Sequence, residues 1–136
     1  MKENELMIGD WVMFPNSIEK VQEVSYVCGK GYCASFAASA TLFPISIDKI
    51  KPIPLTPEIL EKNYFKKCVV ANGMEIDKKF NPYHITEQLY IHDGMCGTIV
   101  CCSDGGSTLS PLFECKYVHQ LQHILKASGI LNEIVL

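Results

Sequence analysis

No CxxC pair occurs among the seven cysteines of this chain, and close ligand pairs are the usual signature of a structural zinc site. An odd number of cysteines cannot all pair within one chain, and a reducing compartment leaves thiols free. Cys101 and Cys102 are neighbours, so on a strand they point to opposite faces and cannot grip one ion together. Most of these thiols are therefore expected to be small buried apolar side chains. No run approaches the ~20 apolar residues that a membrane-spanning helix needs. The opening MKENELMIGDWV carries one Lys and two Glu before its first apolar run. It thus lacks the basic, apolar, small-residue order of a secretion signal, and the expected address is the cytoplasm. A basic stripe is missing too: formal net charge is -3, and Lys66-Lys67 and Lys78-Lys79 are only short pairs. A dedicated nucleic-acid binder is not expected on that balance.

Several catalytic signatures are also missing. Gly29-Lys30-Gly31 is followed by no GKS or GKT and opens no long helix, so a hairpin turn is a better reading than a phosphate loop. There is no nucleophile elbow, although Ser and Asp occur near His92-Asp93 and Ser103-Asp104, and no paired-carboxylate motif. His92 and Cys96 are four apart and sketch a Cys/His dyad, but a buried thiol beside a turn histidine is the better account of them. No internal repeat or low-complexity tract is visible.

What is present is a globular composition, 48% hydrophobic and 20% charged over 136 residues. That length suits one ordinary domain or two small lobes. In LMIGDWVMF, Trp11 and Met13 would share one face of a strand, with Val12 and Phe14 on the other. Pro15-Asn16-Ser17 ends it in a turn. KVQEVSYV, YCASFAASATLF and PISIDKIKPI supply further short extended pieces, which suggests a small, strongly bent β-barrel or meander. Trp11, Phe14, Tyr26, Tyr32 and Phe36 either line a recognition groove or form the core, with at least Trp11 or Phe14 expected in the core.

PIPLTPEILEKNYF marks the boundary. Pro52 and Pro54 stiffen a connector and cannot donate to a sheet ladder. Thr56 is an N-cap, Pro57 sits at the first helical position, and Glu58 lies where the helix dipole favours an acid. This short helix should end by Asn63. Beyond it, turn signals at Asn72-Gly73, Asp93-Gly94 and Asp104-Gly105-Gly106 predict a β-meander. LNEIVL, with β-branched Ile134 and Val135, is expected to return as a last strand.

The spacing predicts a helix from about Tyr117 to Ser128. Val118, Leu121, Ile124, Leu125 and Ser128 form its apolar stripe, and Gly129 ends it. At ~100° per residue, His119 and His123 stack together on the opposite side, beside Gln122 and Lys126. Such a pair is able to supply two zinc ligands, but the zincin pattern needs Glu after the first His and Gln120 stands there. His84, His92, a Cys or a carboxylate would have to supply a third ligand, and Lys126 opposes a cation. The expectation is a solvent-facing or interface pair and no metal centre, catalytic residue or cofactor.

NELMIGDWV, PIPLTPEILEKNYF and KYVHQLQHILKASGILNEIVL resemble segments of small uncharacterised proteins common in phages and mobile elements of Bacteroidales gut bacteria. In that group a GD-W-V opening, a PIPLT-helix connector and a VHxLQH helix occur in the same order. Tyr64 departs from the Gly expected there, which puts the end of the connector helix in question. The resemblance implies a cytoplasmic protein that serves an element inside its host, and carries over no catalytic residue.

The expected fold is thus α+β: a small β-barrel lobe over 1–55, a connector helix over 56–66, and over 67–136 an antiparallel β-meander packed on one amphipathic helix. The expected function is a non-enzymatic binding module acting on a host or element protein. Tyr117, His119, His123, Lys126 and Trp11 are the candidate partner- or ligand-binding residues. Sequestering of a small nucleotide-type signal, with the histidines and Lys126 meeting phosphate or base, is the rival; a metal-dependent hydrolase is third.

Overall fold

The computed structural model describes the backbone of residues 1, 5–36, 43–65, 70–71, 74–75, 83–84, 89–92, 98–103, 108–130 and 133–136, and side chains at 1, 5–36, 43–65, 91, 114–130 and 133–136. The chain is α+β. Its residues cluster in two compact units: Met1–Pro54 with Tyr117–Ile124, and Leu55–Lys116 with Leu125–Leu136.

In the first unit, β1 (Trp11–Met13), β2 (Ile18–Val27), β3 (Gly31–Phe36), β4 (Ile45–Ser46) and β5 (Lys51–Pro52) form one antiparallel sheet in the order β4-β3-β2-β1-β5. Alternation decides which side of it is buried. Val12, Val21, Ala34 and Phe36 join Leu6, Ile47 and Ile50 in a core, with Phe14, Val24 and Ile45 packed against it. Burying each Val, Leu, Ile or Phe side chain among them stabilises the fold by about 1.5–3 kcal/mol. Trp11 is only half-buried; its ring lies under Lys20 Nζ, 5.7 Å away, opposite it in register. Phe14 is therefore the aromatic residue of that pair that joins the core, stacked on Phe36 at 5.8 Å. The β2–β3 hairpin turns through Gly29 and Gly31, both at positive φ, as the GKG stretch led us to expect.

The sheet is open among the described residues, and a closed barrel is not seen: the end strands β4 and β5 do not pair with each other. Both are two residues long, and Pro52 has no N–H with which to extend a ladder.

The second unit begins with α1 (Pro57–Lys62). Thr56 caps it by accepting from Ile59 N at 3.4 Å, and Pro57 occupies the first turn. The same Thr56 hydroxyl, with Glu58's own backbone, holds the Glu58 carboxyl below the usual range. The helix ends as a Schellman motif: Tyr64 N donates to Glu61 O and Phe65 N to Leu60 O. That geometry requires φ of +64° at Tyr64, a value natural for the Gly expected there.

Four further strands, β8 (Tyr83–His84), β9 (Leu89–His92), β10 (Thr98–Ser103) and β11 (Thr108–Glu114), make an antiparallel meander in the order β11-β10-β9-β8. Between α1 and that meander, β6 (Val70–Ala71) pairs with β7 (Met74–Glu75). The expected turns at Asn72-Gly73, Asp93-Gly94 and Asp104-Gly105-Gly106, and the Cys96 of the sketched dyad, lie outside the described residues.

The expected last strand does not form at residues 133–136. Instead Asn63 holds this segment like a ladder partner: Val135 N donates to Oδ1 at 2.7 Å and Nδ2 donates to Val135 O at 2.8 Å. A side-chain amide has taken the bonds that a neighbouring strand would have used.

The long helix α2 (Val118–Ala127) ends as predicted at Gly129, φ +74°, with Ile130 N donating to Leu125 O and Gly129 N to Lys126 O. Its N-terminal part belongs with the five-stranded sheet, where the sequence had led us to expect the whole helix against the meander.

Candidate functional site: the Asp10–histidine cluster

The site grows out of the break in LMIGDWVMF. Gly9, at φ +95°, lets the chain turn so that Gly9 N donates to Val21 O at 2.7 Å and Asp10 O accepts from Val21 N at 2.9 Å. Asp10 is thereby fixed at the mouth of β1, 2% exposed. Its Oδ2 accepts from Met7 N at 2.7 Å, closing the turn with its own side chain.

The polar face of α2 comes down on this turn. Gln122 Oε1 accepts from Trp11 N at 2.9 Å, and Gln122 Nε2 donates to Gly9 O at 3.1 Å. One amide side chain thus satisfies a backbone donor and a backbone acceptor on either side of Asp10. His123 Nε2 lies 2.9 Å from Oδ1 and 3.0 Å from Oδ2 of Asp10. A carboxylate only accepts, so Nε2 carries the proton and donates. The start of α2 is held separately, by Val118 N donating to Ile53 O and by a bridge between Pro54 and Tyr117. Gln120, which rules out the zincin pattern, reaches back instead to accept from Tyr117 N at 3.2 Å.

The histidine face of this helix is therefore not wet. His119 is 2% exposed, and the side chain of His123 is 24% exposed. The inward arc of α2 is wider than its apolar stripe: Val118, Leu121, Ile124 and Leu125 are buried, and His119 is buried beside Val118. Neither nitrogen of His119 has a hydrogen-bond partner among the described residues. One nitrogen of a neutral imidazole is a donor, and leaving it unpaired costs about 1–3 kcal/mol. Tyr117 stacks on the ring almost in parallel, 11° and 5.8 Å between centroids, and His123 meets it edge-on at 5.8 Å. Burial pushes the His119 pKa down; the Asp10 and Glu5 carboxylates work against that shift, while His123 and the Met1 ammonium add to it.

Of the residues singled out from sequence, Tyr117, His119 and His123 come together, and Trp11 joins them through its backbone. Lys126 is exposed in the last turn of α2, where a cation suits the helix dipole. Asp10 and Gln122 are the members that sequence reasoning missed as partners. The available signal was an aspartate inside an apolar run, which must find donors if the run is buried.

Among the described residues, no group of three or more His, Cys, Asp or Glu is placed to hold a metal ion, and no helix is long and apolar enough to cross a membrane. No family model, curated protein or solved structure matches this chain.

Proposed function

We propose that this protein is a non-enzymatic binding module of a phage or mobile element, working in the host cytoplasm on a host or element protein. The observation that carries the reading is the pair of tyrosines on the β2–β3 hairpin. Tyr26 is 69% exposed and Tyr32 is also exposed, and their rings meet in a T-shaped contact at 5.4 Å. They are opposite each other in register, so each restricts the other's rotamers. Pre-ordered, amphipathic tyrosines are the side chains that protein interfaces favour, because they offer large contact area at small entropic cost. Met7 and Ile8, on the turn tied to Asp10, are exposed as well.

The cluster itself favours a structural role. Asp10, Gln122 and His123 join α2 to the turn before β1. Sequestering a nucleotide-type signal on His119 and His123 would put phosphate against a buried ring and beside the Asp10 carboxylate. All twelve basic residues are Lys, so the bidentate guanidinium that phosphate sites favour has no source in this chain.

The test is affinity capture from host lysate with wild-type protein and a Tyr26→Ser/Tyr32→Ser variant as baits. A partner recovered reproducibly by the wild type and lost with the variant is expected. Recovery of no reproducible partner, or equal recovery by both baits, contradicts the reading.

A further inference from the structure

We propose that His119 is the trigger of a pH-sensitive latch: on taking up a proton it leaves its place against His123, and α2 releases the Gly9–Trp11 turn.

The geometry leaves a protonated ring nowhere to bond. Both nitrogens of His119 are buried and have no hydrogen-bond partner among the described residues, and protonation turns both into donors. The charged and titratable groups facing it, among the described residues, come from two directions. On its own helix and the residue before it are His123 and the Tyr117 phenol; on the N-terminal segment are Asp10, Glu5 and the Met1 ammonium. Asp10 is the carboxylate that most favours a charged His119, and its oxygens are already engaged by Met7 N and His123 Nε2. A new imidazolium must therefore compete with His123 for that carboxylate, or move to water. Either way the Asp10 connection loosens, and the Gln122 bonds to Gly9 and Trp11 lie one residue away on the same helix face. The effect is local because β1 keeps its ladders to β2 and β5.

The direction follows from linkage. The His119 pKa is lowered in the folded chain from 6.5, so the closed form binds fewer protons than the open one. Closure is fully favoured above pH 6.5 and weakens as pH falls below it, the closed-to-open ratio dropping by up to about tenfold per pH unit. The latch stands independently of the partner-binding reading.

Trp11 is the single tryptophan of the chain and its backbone is bonded to Gln122, so it reports the latch directly. Trp11 emission and far-UV circular dichroism are followed from pH 8 to 4.5 in the full chain, for wild type, His119→Phe and His119→Gln. The expected result is a change in Trp11 emission below pH 6.5 while the far-UV signal is retained, absent from both variants. A transition unchanged in the variants overturns the proposal, as does one that coincides with loss of far-UV signal, or none at all in the wild type. Should His119→Phe show no folded spectrum at pH 8, His119→Gln alone carries the comparison.

Discussion

Replacing Asp10 with Ala removes the acceptor of Met7 N and of His123 Nε2 in a place that is 2% exposed. Two donors are then left without partners, one of them on a half-buried imidazole. Leaving a buried donor unsatisfied costs about 1–3 kcal/mol, and two are left here; because the His123 side chain is 24% exposed and regains water, the sum stays well short of the upper limit. A loss of about 3 kcal/mol is expected, a large fraction of the 5–15 kcal/mol that holds a typical domain. At roughly 3–4 °C per kcal/mol for a chain of this size, the melting temperature falls by about 10 °C. The assay is urea unfolding at pH 7.5 followed by Trp11 fluorescence, in a double-mutant cycle with His123→Ala. A coupling energy of about 1.5–3 kcal/mol between the two sites is expected. A loss under about 1 kcal/mol for Asp10→Ala, or coupling near zero, would refute the reasoning that the pair holds α2 to the turn.

Other substitutions test the remaining pieces. His119→Phe at pH 7.5 removes an unpaired buried donor and keeps a ring against Tyr117, so a gain of about 1 kcal/mol by urea unfolding is expected. Tyr64→Gly relieves the positive φ at an exposed position (90%), and the melting temperature should rise with a gain of about 0.5–1 kcal/mol. Asn63→Ala frees both backbone groups of Val135 and a bond to Ile59 O; hydrogen exchange at the Val135 amide should become fast while overall stability falls by about 1 kcal/mol. Burial pushes the Cys115 thiol up to about 12. Mapped alkylation at pH 8 should therefore label exposed Cys28 quickly and leave buried Cys33 and Cys115 unmodified in the folded chain.

Local chemistry made some elements readable and left others hidden. Thr56-Pro57-Glu58 and Gly129 mark helix ends because caps depend on neighbouring residues alone, and both ends stand where those residues put them. The resemblance alone puts Gly at position 64; the positive φ that Tyr64 adopts in the C-terminal cap gives the physical reason a glycine suits it. The histidine face was misjudged because helical periodicity sorts residues by polarity, whereas burial depends on what lies across the gap. Here the opposing surface is a turn more than a hundred positions away in sequence, bearing a carboxylate and open backbone groups that suit Gln122 and His123. The last strand failed for a related reason: Asn63 offers Val135 both a donor and an acceptor, and no strand propensity in LNEIVL reveals that.

Long-range ¹⁵N–¹H correlation spectra of the imidazole rings test the inward orientation of this helix face most directly. The account predicts a His123 Nε2 proton protected from exchange by its bond to Asp10, and a His119 ring whose pKa is lowered from the ordinary value by burial. A His123 ring proton that exchanges freely, together with a His119 ring that titrates like histidine in an unfolded peptide, would contradict it.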